Sequence, residues 1–240
     1  TGILCAGVLI LSLSGCGSAY ANEAGRQPEA TTAGGDMLKT SENAKETGKP
    51  QSDAAFVELA KEALEDYFGV DLTDTTGYSV SVQYMDAMPE YEAEQQTVVT
   101  FLPEELNFGE ISADTVIDME NIDTKPMYDV SFNAEGAIKG IHLSYVDWAK
   151  SEIPVTAQSA EETAKQFVIS HQLAAEDRLK VLGSAAASSD TITVVIQHKE
   201  GRALLIGVDS LAGNVRYFED MAEKSAVKSI TPFEEGKGLG

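Results

Sequence analysis

The chain has 240 residues, 43% of them hydrophobic, and a formal net charge of −22 at pH 7. That length and apolar content allow a sizeable buried core, while the acidic balance argues against nucleic acid and against docking on anionic lipid head groups, because like charge opposes both. Such charge leaves room for a cationic partner surface, for divalent cations, or for plain solubility.

The chain opens on an apolar run from Ile3 to Leu13, followed by Ser14, Gly15 and Cys16. The run has the length of a signal-peptide core and falls short of the roughly 18 apolar residues of a membrane span. Leu13, Ser14, Gly15 and Cys16 in this order resemble the lipobox of bacterial lipoproteins. The resemblance implies cleavage before Cys16, lipidation of its thiol, and attachment to the extracytoplasmic face of the cell membrane. With Thr1 in place of an initiator Met and no basic segment ahead of the run, residues 1–15 read as a signal peptide truncated at its N-terminus. The other cysteine, Cys5, falls in the part removed, so the mature body has no thiol for catalysis, metal binding or an internal disulfide. Residues 16–52 are rich in Gly, Ala, Ser, Thr, Glu and Lys with almost no large apolar side chain. They read as a flexible tether reaching on the order of 30 Å from the membrane.

Two α+β units follow, at residues 53–150 and 151–233, with a flexible tail at 234–240. Phe56, Leu59, Ala60, Ala63, Leu64, Tyr67 and Phe68 form a continuous helical stripe that Gly69 is placed to end. The segment beginning at Ser159 repeats the pattern through Ala160, Ala164, Phe167, Val168 and His171, with Ser159 and Glu162 at capping-box spacing. Aligning Ala60-Lys61 with Ala164-Lys165 sets Tyr67 opposite His171. Strand patterns come after each helix. In the first unit they are "YSVSVQY", "TVVTFL" and a hairpin from Tyr128 to Tyr145 turning at Asn133 to Gly136. In the second they form a meander, "TITVVIQ", "ALLIGVD" and "VRYFED", turning near Ser210 to Asn214. Gly136 and Gly213 each stand two residues before an apolar strand residue, Ile138 and Val215, as a positive-φ turn glycine does. Each unit thus reads as one helix covering an antiparallel sheet, and the second is expected to fold alone.

The closing "GVDSLAGNVRYF", with Asp209, Gly213, Val215 and Tyr217, resembles the terminal hairpin of PepSY-like domains. The first unit is a looser copy, with Asn133 near the aspartate position and an acidic insertion from about Pro103 to Pro126. The resemblance implies tandem PepSY-like modules that bind or restrain other proteins, envelope peptidases among them, without catalysis. A cystatin-like or other helix-on-sheet fold is the alternative.

Charge is uneven along this frame. Residues 53–124 hold eighteen acidic side chains against the single basic Lys61, a net −17, while residues 17–52 and 125–240 come to −1 and −4. No G-x-S-x-G, H-E-x-x-H or phosphate-binding glycine loop occurs. His142, His171 and His198 are scattered and read as structural. Asp71 and Asp74 in "DLTDTTG" offer two carboxylates to a calcium ion but lack the alternation of an EF-hand. Trp148 and Tyr145 read as packing between the units or as binding aromatics. Glu90, Glu92 and Glu94 crowd an exposed loop suited to steering a basic partner. No catalytic residue, cofactor or resident metal is assigned. The function expected is a lipid-anchored, non-enzymatic module with a protein partner in the envelope. An envelope enzyme with an unrecognised site, and a binding protein for a small ligand or divalent cation, stand beside it.

Overall fold

The computed structural model describes residues 52–106 and 124–231. The lipobox, the tether, most of the acidic insertion and the tail lie outside the described residues. In chain order the elements are α1 (Asp53–Phe68), β1 (Tyr78–Met85), β2 (Gln96–Pro103), β3 (Met127–Asn133), β4 (Ile138–Ser144), α2 (Ala157–Ser170), β5 (Lys180–Ser188), β6 (Thr191–Lys199), β7 (Arg202–Asp209), β8 (Val215–Ala222) and α3 (Glu223–Ser229). No helix among the described residues is long and apolar enough to cross a membrane.

Local chemistry sets the helix ends. Ser52 caps α1 by accepting from the Ala55 N–H. Gly69 ends the helix at φ 65, and the N–H groups of Gly69 and Val70 close onto the carbonyls of Glu65 and Leu64. In α2 the capping box lies one turn earlier than its expected Ser159–Glu162 position. Thr156 is the cap, its Oγ1 accepts from the Ser159 N–H at 3.1 Å, and the Thr156 N–H donates back to Ser159 Oγ at 2.8 Å. A serine hydroxyl thus does what a glutamate usually does in this motif, and Glu162 is left outside it.

The eight strands among the described residues join one antiparallel sheet in the order β1-β2-β3-β4-β8-β7-β6-β5. The fold is α+β as expected, but the sheet is continuous across the boundary near residue 150. The halves meet where β4 pairs with β8 at Gly140↔Glu219, Ile141↔Phe218 and His142↔Tyr217. The same sequence offset relates Gly136 to Gly213, Ile138 to Val215 and Ile141 to Phe218, so Ile141 and Phe218 pair across a local two-fold axis. Two strands bounding the expected hairpins also differ in extent: β4 stops at Ser144, one residue before Tyr145, and β8 runs on through Tyr217 to Ala222.

The two long helices lie on the same face. α1 packs on β1 to β3 and α2 on β5 to β8, and one apolar cluster runs beneath both, from Phe56, Leu64, Val99 and Phe132 to Val168, Ile196, Ile206 and Phe218. The helix C-termini meet over the axis. Tyr67 stacks on His171 with ring centroids 5.4 Å apart, and Phe218 lies 5.1 Å from Tyr67 and 5.6 Å from Phe167. The residues that sequence alignment sets opposite each other are therefore in contact. On the other sheet face α3 covers β6 to β8, burying Val195, Leu205, Met221 and Ala226.

Candidate functional site

The β7–β8 turn is built by Asp209. Its Oδ1 accepts from the N–H groups of Leu211 at 2.9 Å and Ala212 at 2.6 Å, and its carbonyl accepts from the Gly213 N–H. Gly213 sits at φ 80, which a side chain disfavours, although a Cβ there would meet only Val155 at an ordinary 3.5 Å. Asn133 builds the β3–β4 turn in the same way, accepting from Glu135 and Ala137 at 3.0 and 2.9 Å, with Gly136 at φ 78. Asn133 thus does in the β3–β4 turn what Asp209 does in the β7–β8 turn.

The β7–β8 turn forms one wall of a groove of about 530 Å³ between the helices and the sheet. Tyr67 and Phe68 from the last turn of α1, Phe167 from α2, Tyr128 from β3 and Trp148 from the segment after β4 supply its aromatic surface, and Gln166, Ser170 and Asn214 supply its polar groups. Arg216 lies over the Trp148 ring, 5.9 Å from its centroid, and is itself fixed by an ion pair with Asp190 and a 3.6 Å approach to Asp209. Burial opposes ionisation of Asp190, but hydrogen bonds from Ser188 and Arg216 and the charge of Arg216 hold its carboxyl below the usual range. The tryptophan thereby sits on a charged clamp tied to the hairpin.

The groove lining itself is uncharged. Burial, with the charge of Asp66 adding to it, pushes the Tyr67 phenol up to about 12, and burial pushes Tyr128 up to about 12. Both stay neutral across any physiological pH. The Tyr67 hydroxyl is buried with no hydrogen-bond partner among the described residues. Flat rings with a few amides and hydroxyls suit the surface to contact with an apolar group.

The four hairpin residues do not converge. Gly213 and Val215 line the groove and Asp209 holds the turn, but Tyr217 faces the opposite side of the sheet. There it stacks on His142, centroids 4.7 Å apart and planes 5° from parallel, and its hydroxyl shares a 2.6 Å hydrogen bond with Thr193. Gly207 is required beneath it, because a Cβ at that position would fall 2.0 Å from the Tyr217 ring. Beside this stack Lys139 donates to Glu219 at 2.7 Å and to Gln96 at 3.2 Å, all three buried.

The histidines remain apart: His142 on Tyr217, His171 donating from Nδ1 to the Phe167 carbonyl of its own helix end beside Tyr67, and His198 at 2.9 Å from Asp220. Asp71 and Asp74 spend a carboxylate oxygen each on the local N–H groups of Thr73 and Thr76. No group of three or more metal-ligating side chains occurs among the described residues. Tyr145 is 44% exposed at φ 58, beyond the end of β4. The loop of Glu90, Glu92 and Glu94 is not free to steer as a unit. Glu92 pairs with Lys224 at 2.6 Å, and Glu94 pairs with Arg202, so these charges clasp the first half to the second. Sequence reasoning had no signal for that clasp, whose partners lie more than a hundred residues away.

Fold and groove define, over the described residues, an α+β fold with one eight-stranded antiparallel sheet, helices on both faces and an uncharged aromatic recess at the β4–β8 junction. No protein-family model matches the chain, and no curated protein matches it. Among solved structures it is similar to the Bacillus megaterium YpeB C-terminal domain, at 11% identity and a TM-score of 0.42, over 80% of this chain and 72% of that one.

Proposed function

We propose that this protein is a lipid-anchored, extracytoplasmic binding module with tandem PepSY-like halves, which engages another envelope protein without catalysing a reaction on it. The observation that carries the reading is the aromatic groove. Tyr67, Phe68, Trp148 and Phe167 offer rigid, uncharged surface at a point where three elements and a hydrogen-bonded turn converge, the kind of recess that anchors a partner's apolar side chain. A peptidase held in check is one such partner. The lipobox residues Leu13 to Cys16 support the location. A small apolar ligand is the second reading, favoured by a volume inside the roughly 300–1,000 Å³ of small-molecule sites.

The test places a photo-crosslinking benzoylphenylalanine at Gln166 on the groove rim, in the native host. Protein adducts that Trp148→Ala diminishes support the reading. Adducts no stronger than those from the same group at exposed Glu58 would remove it, and a small molecule retained in native mass spectra would favour the second.

A further inference from the structure

Among the described residues the sheet ends in two outer strands, β1 and β5, and they are finished differently. The β5 ladder is broken by register shifts between Val181 and Gly183 and between Ala186 and Ser188. Such bulges discourage another strand from adding to an edge. β1 carries no such device. It pairs with β2 at eight consecutive positions without a shift, and Tyr78–Met85 contains no charged residue and no proline.

The open hydrogen-bonding groups of β1 can be assigned. The Glu104 N–H donates to the Gly77 carbonyl at 3.0 Å, so Gly77 turns its carbonyl toward the chain leaving β2, and antiparallel alternation turns the N–H and C=O of Tyr78, Val80, Val82 and Tyr84 away from β2. Pro103, which has no N–H to give, pairs with Tyr78 as this alternation allows. The Tyr78 N–H closes onto Thr75. Among the described residues, Val80, Val82 and Tyr84 therefore present an outward row of donors and acceptors. On the helix side of that row Val80 is 36% and Tyr84 60% exposed. Tyr84 is held upright by a 2.7 Å hydrogen bond to Asp53 and an edge contact with Phe56.

We propose that the β1 edge accepts an extended, basic segment of a partner protein by strand addition. This rests on the reading of the protein as a protein-binding module and names the kind of segment it takes. Main-chain bonds to Val80, Val82 and Tyr84 supply the docking, and alternate apolar side chains of the incoming strand lie along Val80 and Tyr84. Charge selects the occupant. Residues 53–106 hold thirteen acidic side chains and one basic, with Asp74 before the strand, Asp86 after it, and Glu104 and Glu105 following β2; Lys125 lies at the Thr76–Tyr78 end, so the acidic excess is greatest toward Tyr84 and Asp86. That field attracts lysine and arginine and opposes a second copy of this chain meeting edge to edge.

The probe is a synthetic peptide of alternating lysine and valine, with a glutamate-for-lysine counterpart, titrated into the full chain carrying Cys16→Ala. Binding of the lysine peptide should slow hydrogen exchange at the Val80, Val82 and Tyr84 amides about tenfold or more at saturation, while the glutamate peptide binds at least about tenfold more weakly. Val80→Pro removes one outward donor without touching the bonds to β2, and Val80→Lys blunts the edge in a chain certain to keep its exposed-surface character. Both should weaken the lysine peptide about tenfold or more with little change in Tm. Absence of binding at about 1 mM, protection elsewhere than β1, indifference to both substitutions, or self-association through β1 overturns the proposal. If the groove crosslink of the native chain persists in Val80→Pro, only the edge assignment falls; if the native chain yields no crosslink, the protein-binding reading itself falls.

Discussion

Removing the Phe218 ring tests whether the two halves are one folding unit. Phe218 has no exposed surface, pairs with Ile141 across the β4–β8 seam, and touches Tyr67, Phe68 and Phe167. Phe218→Ala deletes a buried aromatic and leaves a cavity in a place both helices roof, where collapse would need both to move. The cost of such a change is about 3–5 kcal/mol. Against a total stability of roughly 5–15 kcal/mol, and at roughly 2–4 °C per kcal/mol for a chain of this size, Tm should fall by about 10 °C. Differential scanning calorimetry reads both the shift and the number of transitions. Phe101→Ala, also fully buried but in the first half alone, is the comparison. In a single cooperative unit each substitution moves one undivided transition. Independent halves would instead show two transitions, with Phe101→Ala moving only one of them, and that result would refute the seam as an energetic junction. The isolated segment 155–233 is expected to be much weaker than its own helix and meander suggest, because it leaves the β4-facing edge of β8 unpaired and the rings of Phe167 and Phe218 uncovered.

Three further outcomes follow from local geometry. Asp209→Ala should cost about 1–3 kcal/mol in urea denaturation by orphaning the Leu211 and Ala212 N–H groups, and Asp209→Asn should cost less, since Asn133 does the same work in the first hairpin. Gly207→Ala should destabilise more than Gly213→Ala and perturb the tyrosine near-UV signal, because the added Cβ displaces the Tyr217 ring from Thr193. Burial lowers the His142 pKa below its ordinary 6.5, against the opposing pull of Glu219 and Asp129. In the window just below 6.5 the unfolded chain therefore binds the proton more readily than the folded one, and stability should drop as pH falls through it. His142→Gln should flatten that slope in urea titrations between neutral and mildly acidic pH.

What the sequence revealed and what it hid divide along the range of the interactions. The α1 stripe, the Gly69 stop and the Asn133 and Asp209 turns are set by neighbours within a few residues, and their patterns are complete on the page of the sequence. β5 was not legible because "KVLGSAAAS" carries small residues where a strand usually alternates bulky ones, and its edge position asks for nothing larger. α3, seven residues long with only Ala226 buried, has no stripe to read. The Thr156 cap was hidden by the better-known glutamate spacing three residues on. The merging of the sheet was hidden for a deeper reason. β4 and β8 each look like the last strand of a finished unit, and only their pairing with each other, some 77 residues apart in chain register, makes both of them central. The groove shares that origin, since its walls come from both halves, and Trp148 was legible as a junction residue without the Arg216 clamp that fixes it.

The seam also bears on why the hairpin occurs twice. Two four-stranded sheets joined end to end through equivalent strands leave two equivalent outer edges, β1 and β5, so any general pressure against edge association acts on both alike. The edges nevertheless differ: β5 is bulged twice, whereas β1 is regular, uncharged and set in the most acidic part of the chain. The acidic surroundings do what bulges do elsewhere, but selectively, because they oppose another copy of this protein while leaving the edge open to a basic strand. The arrangement is a single sheet whose junction forms a groove and whose two ends are finished differently. A variant that transplants the protection, Ser81→Lys together with Gln83→Lys on β1, changes side chains on the face away from α1 and keeps every bond to β2. Its thermal transition should stay within a few degrees of the native chain, as surface changes usually do, while binding of the lysine peptide is lost. Retained binding in that variant would mean that the acidity around β1 serves solubility alone.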